Sequence, residues 1–179
     1  MEPFVADIAR AGRRADVSAH LVRYRHVGWN AGEPVADVSA VLDQVAAVVG
    51  EVPVCLVGHS LGGRVALQLA DHRLVCAVCA LAPWIVQGDP GARLAGCSVL
   101  VVHGDRDRVT SVAGSLTYAR RAAAAGGDVR TVLLAGGGHA MLRHALVWQR
   151  LARAFVLHAL GVAVPLPAPL AGAPREVRI

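Results

Sequence analysis

A serine lies between two glycines at the point where an apolar segment passes into a helical pattern. The segment Val57–Gly63 contains the pattern Gly-x-Ser-x-Gly, with Ser60 at its centre and Gly58 and Gly62 two residues away. A serine on so tight a strand-to-helix turn has a strained backbone, and its neighbours at that spacing must lack Cβ atoms so that strand and helix can pass closely. The pattern predicts an exposed nucleophile at Ser60, but a plain turn that holds a serine fits these five residues equally well.

Two further polar groups follow later apolar segments. Asp105 and Asp107 come shortly after Ser98–Val102, and His139 follows Arg130–Leu134 and a run of glycines. A serine hydroxyl is a weak nucleophile near neutral pH unless a histidine takes its proton, and the imidazole needs a carboxylate to fix its tautomer and stabilise its cation. The chain therefore offers the groups of a catalytic triad in the order serine, aspartate, histidine.

The elements that must position these groups alternate between strands and helices. Apolar runs predict five strands, at residues 19–24, 53–57, 74–81, 98–102 and 130–134. Helical spacing of apolar residues, with Pro and Gly at the boundaries, predicts five helices, near residues 3–12, 34–49, 61–72, 111–126 and 141–160. This alternation predicts an α/β fold with a mostly parallel sheet of about five strands and helices on both faces. The polar groups then meet at the carboxyl ends of the strands, where such sheets carry their function.

Length and composition predict one domain. Residues 1–160 hold the predicted elements, and the Pro/Ala-rich residues 161–179 are predicted to be a disordered tail. The connection between Ala82 and Cys97 is too short for a lid domain, so we expect an active site open to solvent. The chain is 55% hydrophobic, but its apolar runs are too short and broken to cross a bilayer. The N-terminal residues show no basic region followed by an apolar segment, so we expect no secretory signal and a cytoplasmic location.

Charge and cysteine usage argue against several classes of function. The net charge is +5, but the arginines are scattered instead of forming a tract with aromatic residues, so we expect no nucleic-acid binding. The four cysteines lie in apolar surroundings, and the spacing of Cys76 and Cys79 has no partner pair at the distance of a metal site. We expect buried, reduced thiols. Because no phosphate-binding loop or dinucleotide fingerprint occurs either, we expect no metal and no cofactor.

Taken together, the motifs resemble those of the α/β-hydrolase superfamily. The resemblance rests on Gly58–Gly63, His103–Val109 and Gly138–His139, and it covers roughly residues 3–160. It implies an α/β-hydrolase-like fold with a nucleophile at Ser60, a base at His139 and an acid after a late strand. Family patterns of the kind Gly-x-x-Asp-x-x-Val match Gly104, Asp107 and, roughly, Val109. They favour Asp107 over Asp105, which would then bond the loop backbone.

The resemblance implies a serine hydrolase that acts on a carboxylic ester or a related small acyl substrate through an acyl-enzyme. The backbone N–H of Leu61 would be one oxyanion donor, at the start of a helix. His59, Trp29 and Trp84 are candidate pocket residues, although plain packing explains the tryptophans equally well. His103 is expected to end its strand rather than to line the site.

One part of the family pattern is missing from the sequence. Family members usually supply a second oxyanion donor from a loop, often marked His-Gly, that follows a strand before the first helix seen here, and Phe4–Arg13 already resembles that helix. The second donor would then come from Gly28–Ala31 or from a partner chain. The alternative is a truncated or degenerate hydrolase-like module with little activity that serves binding or assembly. The sheet edge left open would also allow a homo-oligomer.

Overall fold

A parallel sheet of five strands forms the centre of the fold. The computed structural model describes residues 1–89, 94, 96–172 and 174–179. The strands are β1 (Val54–His59), β2 (Val75–Leu81), β3 (Ser98–Gly104), β4 (Asp128–Leu134) and β5 (Glu176–Arg178). They are hydrogen-bonded in the order β1-β2-β3-β4-β5, with each neighbouring pair parallel.

Helices cover both faces of this sheet. They are α1 (Glu2–Gly12), α2 (Glu33–Val49), α3 (Leu61–Gln68), α4 (Val112–Ala124), α5 (Ala145–Ala159) and the short α6 (Ala168–Ala171), with 3₁₀ turns at Arg13–Ala15 and Asn30–Gly32. Apolar residues of α2, α3 and α4 form one cluster with the sheet, and those of α1, α5 and α6 form a second cluster on the opposite face. The predicted α/β architecture is therefore confirmed.

Local sequence explains why these elements form. Strand β2 reads Val-Cys-Ala-Val-Cys-Ala-Leu and is buried along almost its whole length, as expected for a parallel strand covered on both faces. Helix α2 buries Val38 and Leu42, which lie four residues apart on one face. Helix α4 begins after Ser111, whose hydroxyl oxygen accepts a hydrogen bond from Gly114 N.

The predicted strand at residues 19–24 is wrong. This segment is neither helix nor strand, although Val22 and Tyr24 pack against the cluster formed by α2, α3 and α4. The alternating pattern therefore reflects side chains buried on one side. A strand also needs a hydrogen-bonded neighbour, and within the described residues β1 pairs with β2 alone.

The C-terminal segment differs from the predicted disordered tail. Leu170 of α6 is buried in the cluster beneath α5, and β5 pairs with the edge of β4. The Arg120 side chain also holds Glu176 at 3.0 Å. The predicted number of strands is thus reached with β5 in place of residues 19–24. The Pro/Ala-rich composition predicts disorder, but composition carries no information on the unpaired edge of β4 with which this segment can pair.

The connection between Ala82 and Cys97 is described only in part. Residues 90–93 and 95, in the predicted connection between Ala82 and Cys97, lie outside the described residues. Across the described parts of the chain, no helix has both the length and the apolar character that crossing a membrane requires.

Candidate active site

Ser60 occupies a sharp turn between β1 and α3. Its backbone has φ 54° and ψ −116°, a left-handed conformation that costs a residue with a side chain about 1 to 3 kcal/mol. The surrounding backbone holds it there, because Ser60 N donates to Leu81 O at 3.0 Å and Ser60 O accepts from Trp84 N at 3.0 Å. The turn therefore presents the hydroxyl beyond the carboxyl end of β1, as the Gly-x-Ser-x-Gly pattern predicts.

The glycines around Ser60 let strand and helix pass closely, but not in the way the sequence suggested. A Cβ at Gly58 would lie 2.1 Å from Gly62 O, so no larger residue fits there without a backbone shift. At Gly62 the nearest atom to such a Cβ is the Tyr24 hydroxyl oxygen, at 3.4 Å. The second close approach falls on Gly63, where a Cβ would lie 2.9 Å from Pro83 Cβ.

Ser60, His139 and Asp107 form a continuous chain of hydrogen bonds. Ser60 Oγ lies 3.0 Å from His139 Nε2, and His139 Nδ1 lies 2.8 Å from Asp107 Oδ2. The carboxylate can only accept, so Nδ1 carries the imidazole proton and Nε2 is free to accept the proton of the serine hydroxyl. The Asp107 side chain is fully buried, whereas His139 keeps 17% of its side-chain surface exposed.

Two glycines allow the loops after β3 and β4 to meet. A Cβ at Gly104 would lie 2.4 Å from the carbonyl carbon and oxygen of Gly137. Arg106 N also donates to Gly137 O at 2.9 Å. This contact brings the loop that carries His139 against the turn that carries Asp107.

The Asp107 carboxylate is held in its charged form. Oδ1 accepts from Val109 N at 2.7 Å and Thr110 N at 3.0 Å, and Oδ2 accepts from the Thr110 hydroxyl at 2.8 Å. Burial by itself raises the pKa of the Asp107 carboxyl, but these hydrogen bonds, together with that from His139, hold its pKa well below the ordinary value. Asp107 is therefore a fixed negative charge beneath His139.

Asp105 serves the loop backbone instead. Its Oδ1 accepts from Gly136 N at 2.6 Å, and its Oδ2 lies 2.5 Å from Arg178 of β5. Its pKa is lowered chiefly by the bond from Gly136 N and further by Arg178. The structure thus brings Asp107, and not Asp105, to His139.

A second histidine lies behind the carboxylate, and it is the residue that sequence reasoning missed. His103, the penultimate residue of β3, is completely buried, with Nε2 3.1 Å from Asp107 Oδ2. Its other ring nitrogen, Nδ1, lies 2.9 Å from Ser115 Oγ on α4. The available signal was the four-residue spacing between His103 and Asp107, which matters only because the turn after Gly104 folds back.

The other predicted pocket residues surround the turn. His59 Nε2 lies 2.8 Å from His139 O, and the two rings are 4.7 Å apart. Trp29 and Trp84 meet edge to face at 6.2 Å. The Arg64 guanidinium lies 3.7 Å from the centroid of Trp29, and its charge is paired with the buried Asp89 at 2.7 Å. Packing against Arg64 accounts for the position of both indoles.

The start of α3 offers a donor beside the hydroxyl. Leu61 is the first residue of α3, and the first N–H groups of a helix have no partner within it. The positive end of the helix dipole also favours a negative charge at this place. The loop Gly28–Ala31 approaches the same region through Trp29, which contacts Trp84 next to the turn.

Comparison with known proteins agrees with this architecture. A sequence profile described as the alpha/beta hydrolase family matches residues 2–96, more than half of the chain. No curated protein matches.

Three solved structures illustrate the similarity. A protein of unknown function from Agrobacterium tumefaciens, provisionally assigned to the alpha/beta hydrolases, has a TM-score of 0.72 at 18% identity, with 92% of this chain and 80% of that chain covered. A protein from Xanthomonas campestris pv. campestris, provisionally assigned as a hydrolase of the alpha/beta superfamily, has a TM-score of 0.65 at 23% identity, with 87% and 90% covered. Esterase PE8 has a TM-score of 0.55 at 26% identity, with 81% and 68% covered.

Proposed function

The chain belongs to the alpha/beta hydrolase family, and on that premise we propose that it is a serine hydrolase that cleaves a carboxylic ester or a related small acyl compound. The observation that carries the proposal is the continuous chain from Ser60 Oγ through His139 to Asp107, with links of 3.0 Å and 2.8 Å. The similarity to an esterase at 26% identity supports an ester as the substrate class.

In the first half of the proposed reaction, Ser60 Oγ attacks the acyl carbon while His139 Nε2 takes the hydroxyl proton. Asp107 keeps the imidazole in the required tautomer and stabilises the cation that forms. The tetrahedral intermediate then collapses, the bond to the leaving oxygen breaks, and His139 returns its proton to that oxygen. The alcohol departs and the acyl group stays on Ser60.

In the second half, water replaces the alcohol. His139 takes a proton from the water as its oxygen attacks the acyl carbon, and then gives that proton to Ser60 Oγ as the acyl bond breaks. The carboxylic acid is released and the free serine is restored. Apart from the acyl substrate and one water molecule, neither half consumes another reactant.

The negative oxygen of each intermediate needs donors. We assign one of them to Leu61 N, at the start of α3 beside the nucleophile. The second is proposed to come from the loop Gly28–Ala31 or from a partner chain. Loss of one such donor typically costs about 10² to 10³ in rate, so the second donor decides whether turnover is fast or slow.

The proposal is tested with a fluorophosphonate probe and with p-nitrophenyl acetate. Wild-type protein and Ser18→Ala, which changes an exposed serine far along the chain from the turn, should be labelled once per chain and release p-nitrophenol. Ser60→Ala should do neither. If folded wild-type protein is neither labelled nor active, or if Ser60→Ala behaves like the wild type, the hydrolase proposal is lost. The alternative of a module for binding or assembly would then be favoured.

A further inference from the structure

His103 is the buried histidine that the proposed reaction does not use. It shows no exposed surface, and neither does Ser115, the residue behind it. His103 Nδ1 lies 2.9 Å from Ser115 Oγ, and His103 Nε2 lies 3.1 Å from Asp107 Oδ2. The same carboxylate oxygen receives His139 Nδ1 at 2.8 Å. Two imidazoles, one on β3 and one in the loop after β4, therefore converge on one oxygen atom.

The partners fix the protonation of His103. A carboxylate oxygen can only accept a hydrogen bond. His103 Nε2 therefore carries a proton, because an unprotonated Nε2 would place its lone pair against that of Asp107 Oδ2. Burial lowers the pKa of His103 while the charge of Asp107 raises it, and the net result lies below the ordinary value, so the ring is neutral at pH 7. Its single proton is then on Nε2, and Nδ1 accepts the hydroxyl proton of Ser115.

We propose that His103, backed by Ser115, is a positioning residue that holds the Asp107 carboxylate for His139. This role rests on the proposed hydrolase function, because the position of the Asp107 carboxylate affects catalysis only if His139 is the base. By donating a further hydrogen bond to Oδ2, the ring resists rotation of the carboxylate. Its N–H also accepts part of the electron density of Oδ2. The hydrogen bond from His139 to the same oxygen is therefore weaker than it would be without His103.

The neighbouring groups restrict how this donor can be replaced. Besides Asp107, the titratable groups that act on His103 are His139 and His59. The Thr110 hydroxyl lies 3.3 Å from His103 Nε2, but it also lies 2.8 Å from Asp107 Oδ2 and 3.2 Å from Ala82 O. The Thr110 hydroxyl has one proton, which it already donates to Asp107 Oδ2. It therefore has no further proton with which to replace the hydrogen bond from His103.

The test compares two amides of different length. In His103→Gln the amide N–H reaches the place of Nε2 and can donate to Asp107, whereas in His103→Asn the shorter amide stays near Ser115. We expect His103→Gln to keep the wild-type rate of fluorophosphonate labelling within a few-fold. We expect His103→Asn to lose about tenfold, the usual effect of one hydrogen bond to a charged group. The acid limb of its pH profile should move to higher pH, because Oδ2 then carries more negative charge and better stabilises the protonated form of the base.

A spectroscopic measurement makes the test independent of turnover. The proton between His139 Nδ1 and Asp107 gives a downfield NMR resonance, and it should move further downfield in His103→Asn but not in His103→Gln. A merely structural role would lower the melting temperature of both variants and leave the acid limb and the resonance unchanged, which would overturn the proposal.

The role of His103 can be tested even if the wild type is not labelled or if His103→Asn does not fold. If wild-type protein is not labelled at all, the hydrolase function fails, and the movement of the resonance alone decides the role of His103. If His103→Asn does not fold, Ser115→Ala decides. It keeps the ring but removes the donor to Nδ1, so the resonance should move in the same direction by less, and an unmoved resonance overturns the proposal.

Discussion

The His59 imidazole donates from Nε2 to the backbone oxygen of His139 at 2.8 Å, and the two rings pack at 4.7 Å. His59 precedes the nucleophile in sequence, so this bond ties the loop that carries the base to the turn that carries the serine. The loop contains Gly136, Gly137 and Gly138, which on their own restrict its conformation little. The hydrogen bond from His59 therefore helps to fix the position of the glycine-rich loop that carries His139.

We expect His59→Phe to lower kcat/KM by about fivefold, since it keeps the ring contact but removes one hydrogen bond of about 1 kcal/mol. His59→Gln should retain most of the activity because its amide N–H can reach His139 O. Rates of p-nitrophenyl acetate hydrolysis check the pair. A faster rate for His59→Phe than for His59→Gln would mean that ring packing, and not the hydrogen bond, holds the loop.

Replacement of His139 by alanine should remove turnover with little loss of stability. The imidazole is the proposed base, whose loss costs at least about 10³-fold in rate, and its side chain lies beyond the carboxyl ends of the strands, outside the two apolar clusters of the core. His20→Ala, at an exposed position, serves as the control. We expect both melting temperatures to stay within about 3 °C of the wild type. A large fall for His139→Ala alone would mark the residue as structural.

Much of the fold and of the candidate site follows from local patterns. Ser60, Asp107 and His139 each come after a continuous apolar run, and parallel strands place their carboxyl ends together, so their proximity is predictable from order alone. Helix α2 is equally predictable because its apolar residues recur at helical spacing. The catalytic role of the three residues stays a prediction.

What the sequence did not reveal depends on contacts between distant segments. Residues 19–24 have the pattern of a strand but no neighbour to pair with, whereas β5 has a tail-like composition and pairs with β4. His103 looked like an ordinary strand end because its partner Ser115 lies on α4. Strand pairing and buried polar networks are properties of the assembled chain, and periodicity carries no information on them.

The two aspartates should differ sharply in their effect on activity. In Asp107→Asn, the amide can turn a donor toward His139 Nδ1 and so favour the wrong tautomer, which in other triads costs about 10⁴ in rate. In Asp105→Asn, the amide oxygen can still accept from Gly136 N, and only the contact with the exposed Arg178 is lost. We expect Asp105→Asn to stay within a few-fold of the wild type in kcat. Comparable losses in both variants would contradict the assignment of the acid.

Stability should depend on the ionisation of Asp107 at acid pH. Hydrogen bonds hold its pKa in the folded protein well below the ordinary value of about 3.9, against the opposing effect of burial. Because the folded pKa is the lower one, the carboxylate contributes stability above pH 4, and this contribution is lost as pH falls toward the folded pKa.

We therefore expect the free energy of unfolding of Asp107→Asn to fall less steeply than that of the wild type between about pH 5 and pH 2. Urea denaturation followed by circular dichroism at several pH values gives the two slopes. Asp71→Asn, which changes an exposed aspartate, should keep the wild-type slope. Parallel curves for Asp107→Asn and the wild type would show that Asp107 is ionised no more readily in the folded chain than in the unfolded one.

The two outer glycines of the Gly-x-Ser-x-Gly pattern should respond differently to alanine. A Cβ at Gly58 would lie 2.1 Å from Gly62 O and 2.6 Å from Gly63 N, both backbone atoms that cannot move without displacing the start of α3. A Cβ at Gly62 would meet only the Tyr24 hydroxyl oxygen at 3.4 Å, and alanine is the better helix former. We expect Gly58→Ala to lose about 3 kcal/mol, a fall of about 10 °C in melting temperature, and Gly62→Ala to stay within about 1 kcal/mol. Thermal unfolding of the matched pair measures both effects. Equal losses would mean that the close approach of strand and helix involves Gly62 as much as Gly58.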